Sequence, residues 1–157
     1  MSLTPSLDPS GTIRRILLAI VVFGLVGTGI ELLLLEHYED SWQLVPLFFI
    51  GATLVVVATH VVSGSAASVQ VLRLMMCFLV VSGVAGIVLH YRGSMEFQLE
   101  MDATQTGWQL FTKVIRAKAP PTLAPGVMAQ LGLLGLLYTY RHPALVPRAV
   151  SDSRSAI

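Results

Sequence analysis

Charge is scarce in this chain. Asp, Glu, Lys and Arg make up 12% of the 157 residues, against about 25% in a typical soluble domain. With a mean hydropathy of +0.74, that deficit points to the bilayer as solvent. The net charge is +1, so a nucleic-acid footprint is excluded. Cysteine is almost missing. Cys77 stands alone inside an apolar run, cannot form an intramolecular disulfide, and has surroundings that do not favour a thiolate. Also missing are a Ser-His-Asp arrangement, a P-loop, a GxGxxG, and any His-x3-His or Glu-x-x-His pair. No enzyme class follows from the sequence, and a non-enzyme is expected.

What is present is apolar length. A helix needs about 20 residues to cross a core of about 30 Å. Four segments approach that: residues 16–35, 44–62, 71–89 and 123–140. Arg14 and Arg15 before the first run resemble a signal-peptide start. Yet that run has 20 residues and lacks a small-x-small cleavage pattern, whereas a signal h-region has about 7–15. It reads as a retained span. Trp42 and Pro46 open the second span and Pro125 the fourth. The link SGSAAS (63–68) makes spans two and three an antiparallel hairpin, and residues 1–11 and 148–157 read as disordered tails. The fold class expected is an all-α integral membrane protein: one membrane domain with a four-transmembrane-helix bundle and an amphipathic interfacial helix between spans three and four.

That interfacial segment is 94–118. Phe97, Met101, Thr104, Trp108, Phe111 and Ile115 recur at helical spacing, with acids early and bases late. Phe97, Leu99 and Met101 also alternate, so a strand or loop over 95–102 competes, and Gly107 weakens a helix in its middle. Thr122 is the expected cap of span four.

Arg14, Arg15, Arg73, Arg141, Arg148 and Arg154 fall on one side of this arrangement, and Arg92, Lys113, Arg116 and Lys118 on the other. The bias places both termini in the cytoplasm of a bacterial-type inner or plasma membrane.

The residues able to carry chemistry gather on the opposite side, in LLLLEHYEDSW (32–42) and around HYRG (90–93). Glu31, Glu36, His37, His90 and Glu96 form a candidate ion, proton or metal cluster. Histidine and carboxylate suit a divalent metal, and His37 with His90 is the depth-matched pair for a metal or a haem if the two helices converge. Glu31, one turn inside span one, is the leading single suspect, because intramembrane carboxylates face cavities or partners; His90 and Arg92 lie at matching depth. The competing account is anchoring at the water boundary, with Tyr38, Trp42, Tyr91 and Trp108 as interfacial anchors. Acids following a helix C-terminus oppose its dipole, which favours a functional role for Glu39 and Asp40. His60, near the other end of span two, has no expected partner, since His142 is placed in water. Gly24, Gly27, Gly83, Gly86, Gly132 and Gly135 read as helix packing.

Three functions remain open. The first is a non-enzymatic accessory or structural subunit of a membrane complex, without a cofactor, in contact with lipid and with other membrane proteins or further copies of itself. The second is a small oligomeric transporter or ion- and proton-handling protein. The third is a metal or haem protein built on His37 and His90.

Overall fold

A computed structural model describes residues 9–117 and 122–146, all of them helical, turn or loop, with no strand among them. Five α-helices follow in order: α1 (Pro9–Leu34), α2 (Ser41–Ser63), α3 (Ala66–Met101), α4 (Gly107–Ile115) and α5 (Gly126–Thr139), closed by a 3₁₀ turn at Pro143–Leu145. α1, α2 and α3 are long and apolar enough to cross a membrane. Their flanks remain apolar where they are exposed: Phe23 is 83% accessible and Val62 90%. In water such a surface would aggregate; in a bilayer it is the solvated face. The chain is therefore membrane-associated.

α1, α2, α3 and α5 pack side by side, each against the next, with α5 returning onto α1. The core is a narrow seam of Val21, Leu25, Ile50, Val57, Leu72, Met76, Leu79, Met128 and Leu131. One end of the assembly carries Arg14, Arg15, Arg73 and Arg141. The other carries every described acid, from Glu31 to Asp102.

Several boundaries differ from the sequence reading. α1 begins at Pro9, so residues 9–11, expected in a tail, are helical; residues 1–8 and the tail 148–157 lie outside the described set. α3 does not stop at Leu89. It continues unbroken through HYRG to Met101, and its 36 residues span about 54 Å. No proline lies between His90 and Met101, and the boundary signal at Gly93-Ser94 is passed over in helical conformation. The expected interfacial helix over 94–118 is therefore divided: its first turns belong to α3, and α4 supplies the rest. The break falls at Asp102–Thr106, where Asp102 accepts from the Thr104 amide at 3.0 Å and hydroxyl at 2.6 Å. Gly107 is not a weak point inside a helix. It starts α4 with φ +56°, a conformation open to glycine. Trp108 and Phe111 stack at 5.1 Å on the exposed side of α4, and Val114 is buried.

The connections are tighter than expected. Only Gly64 and Ser65 separate α2 from α3. Gly64 adopts φ +55° and donates to His60 O at 2.8 Å, and Ser65 caps α3 through the Ser68 amide. Pro46 lies in the second turn of α2, beyond the opening turn assigned to it. Thr122 does not cap α5. Its hydroxyl donates to Val114 O at 2.8 Å, and Pro125 holds the N-cap position without a side-chain bond.

α5 has 14 residues, about 21 Å, short of a full crossing. Its hold on the assembly comes from close approach. A Cβ on Gly83 would meet the Ala129 backbone nitrogen, and one on Gly132 would lie 2.7 Å from Met76 O and 2.9 Å from Val80 N. These neighbours are backbone, so they cannot swing aside. Gly27, in the same small-residue pattern, has nothing within 4 Å. Gly83→Ala and Gly132→Ala should each destabilise the protein by about 1–3 kcal/mol, the usual range for overpacking, while Gly27→Ala should leave it within error. Thermal melting of the three variants in one detergent checks this; equal melting points for all three would refute the close packing.

Candidate functional site

At the acidic end, α1 closes with a left-handed turn. Glu36 adopts φ 54°. The Glu36 amide donates to Leu33 O at 3.1 Å, and the His37 amide to Leu32 O at 2.9 Å. This is the paired closure that glycine usually provides. Glu36 is thus a turn residue, with its side chain exposed. The acids after it do not oppose a dipole. Asp40 is the N-cap of α2: its carboxylate accepts from the Ser41 amide at 2.6 Å, and Gln43 reaches back to the Glu39 and Asp40 amides in a capping box. It faces the positive end of the next helix, so the dipole reason for giving it a functional role falls away.

The same turn delivers His37 against α3. The His37 and His90 rings lie 6.3 Å apart between centroids, tilted by 44°. Removal from water, then the nearby His90, pulls the His37 pKa below 6.5. The carboxylates do not join them. Glu31, Glu36 and Glu96 are all exposed, and among the described residues no three His, Cys, Asp or Glu side chains are grouped to hold a metal. Tyr38, Trp42 and Trp108 are exposed, and Tyr91 approaches the Phe111 ring at 6.2 Å, an aromatic girdle around this end.

The arginine end holds the polar cluster that sequence reading missed. His60 is 4% accessible. Its Nδ1 lies 2.9 Å from Ser68 Oγ, and its Nε2 lies 2.6 Å from the Tyr138 hydroxyl. Ser68 Oγ donates its one proton to Ser65 O at 2.8 Å, so it accepts from His60. A neutral ring with its proton on Nδ1 then accepts from Tyr138 at Nε2. The chain of donors runs one way, from Tyr138 through His60 and Ser68 to the α2–α3 turn. His60 was expected to lack a histidine neighbour, but His142 is half-buried with its ring 5.4 Å away. Turns at Tyr140 and Arg141 fold it back, and its Nδ1 accepts from the Ala144 amide at 3.2 Å.

Two arginines seal the cluster. Arg14 donates to Tyr138 O at 2.5 Å, Tyr140 O at 3.0 Å and Arg141 O at 3.1 Å. Arg73 donates to Thr139 O at 2.8 Å and Thr139 Oγ1 at 3.4 Å. Together they satisfy the open carbonyls at the end of α5 and complement its dipole. A sequence signal for His60 did exist: Ile50, Thr53, Val57 and His60 follow one another at spacings of 3, 4 and 3, and all are buried. That stripe puts His60 on the interior face.

No protein-family model, characterised protein or solved structure matches this chain.

Two outcomes follow. Glu36→Gly should raise stability by up to about 1 kcal/mol, by relieving the left-handed strain; a loss of stability in the same melt would show that the carboxylate has a role of its own. The second concerns acid. Burial, then His60 and Arg14, holds the His142 pKa below 6.5. As pH falls through 6.5, the unfolded chain takes the proton first, so it binds more protons and folding stability drops. Melting temperatures should therefore decline from pH 7.5 to 5.5, and His142→Asn, which keeps a capping acceptor without titrating, should flatten the decline. His37 contributes in the same direction, so the flattening is partial.

Proposed function

We propose that this is a four-crossing membrane protein and a non-enzymatic accessory or structural subunit of a larger membrane complex. The single observation that carries this reading is where the polar side chains at the arginine end go. Arg14, Arg73, His60, Ser68 and Tyr138 direct their hydrogen bonds to other helices of the same chain. They lock helices together, and apolar flanks are left facing outward. The fourth crossing is α5 extended by the turn Thr122–Pro125. Thr122 is buried and Pro125 packs against Gly83 and Gly86 on α3, so the two ends of the non-helical stretch are covered by protein, as a membrane requires of such backbone. The arginine end is the cytoplasmic side of a bacterial-type inner or plasma membrane, in keeping with its four described arginines, and both termini lie there. The exposed Trp108–Phe111 stack and Trp42 mark the opposite interface.

A second reading has its own observation. His37 on the turn after α1 and His90 on α3 approach each other, an arrangement suited to handling protons or an ion, or to binding a divalent metal or haem; Glu31, near the end of α1, would be the intramembrane carboxylate. The protein released from its native membrane in mild detergent separates the two. Native mass spectrometry should find it in stoichiometric assembly with other membrane proteins, and Glu31→Gln, His37→Ala and His90→Ala should assemble normally. A clean homo-oligomer, with bound metal or proton flux lost in His37→Ala, would replace the first reading by the second.

A further inference from the structure

We propose that the groove between α1 and α5 at the arginine end is a binding site for one anionic phospholipid. The groove encloses about 280 Å³ and is lined by Ser10, Ile13, Arg14, Leu17, Leu137 and Tyr140. Its chemistry is ordered by depth. α1 runs inward from this end and α5 runs outward to it, so Ser10 and Tyr140 stand at the mouth and Leu17 and Leu137 lie deeper. Arg14 sits between them. A polar mouth over an aliphatic slot is the shape of a headgroup above an acyl chain.

The charge is available for it. A guanidinium has five N–H donors. Arg14 directs one from Nη1 to the α5 carbonyl of Tyr138 and two from Nη2 to the carbonyls of Tyr140 and Arg141 just beyond it, so among the described residues Nε–H and the second Nη1–H remain. Arg141 lies at the rim, its guanidinium 5.4 Å from the centroid of the Tyr140 ring. The negative end of the α5 dipole, which Arg14 complements, is offset at this groove by the positive end of α1, so the guanidinium charge remains available. Every described acid lies at the opposite end. Among the described residues, a phosphate entering the groove thus meets two cations and no carboxylate. A zwitterionic headgroup brings an ammonium group to the same spot, and a free anion leaves the aliphatic slot unfilled.

The test places a reporter in the groove. Trp42→Phe and Trp108→Phe remove both native tryptophans at the far end, and Leu137→Trp adds one at the slot. The protein is reconstituted in phosphatidylcholine vesicles containing phosphatidylglycerol, with bromine on the chains of one lipid or the other. Brominated phosphatidylglycerol should quench this tryptophan with an apparent affinity about fivefold above that of phosphatidylcholine, the effect of about one interfacial cation. Arg141→Gln should reduce the preference towards unity without unfolding the protein, since its side chain holds no helix; Arg14 is left intact because it also secures α5. Equal quenching by the two lipids would overturn the proposal and make the groove ordinary lipid boundary. Absence of quenching by either would also overturn it, because a protein segment or a second copy would then fill the groove. Displacement by inorganic phosphate would overturn the lipid assignment in favour of a free anion.

Discussion

In hydrocarbon, a backbone carbonyl without a protein partner has no partner at all. The last helix of this chain meets that constraint: its final carbonyls are taken up by Arg14 from the first helix and Arg73 from the third. The same two contacts fix where α5 ends, how far Tyr138 projects towards His60, and where the following turn places His142. The buried polar cluster is a result of that closure.

The opposite end follows different rules. There the chain leaves the apolar layer, water is available, and acids need no protein partners. Asp40 caps a helix, Asp102 terminates another, and Glu36 supports a turn that glycine would make more easily. What remains for chemistry at that end is the pair of imidazoles, brought together by a turn closing α1 and by α3 running on past the apolar layer.

Much of this was legible in the sequence, because hydropathy over 20 residues is a strong signal and the solvent allows few alternatives. Three long apolar helices, the α2–α3 hairpin and the gathering of the described acids at one end were all readable. Helix ends were less so. Asp40 was read as following α1 when its partner is α2, since a single turn joins both and proximity in sequence does not say which helix a cap serves. The continuity of α3 through His90 was hidden by its composition: polar residues that suggest a boundary also fit a helix leaving the membrane. The His60 cluster was missed for another reason. It depends on Tyr138, 78 positions away, and on a left-handed residue at Arg141 that no local rule requires. Hydropathy is a local quantity, whereas a buried histidine is explained by whatever is folded against it.

The clasp between Arg14 and α5 has a consequence in time. It joins positions separated by 124 residues, so during synthesis the first helix enters the membrane long before the carbonyls that will receive its guanidinium exist. Until α5 is made, Arg14 and Arg73 lack the carbonyls they will bond, whereas α1, α2 and α3 already have one another to pack against. A chain that stops short of Tyr138 offers Arg14 none of these carbonyls. The clasp therefore orders assembly: the first helix receives its last partner only when residues 138–141 have been made.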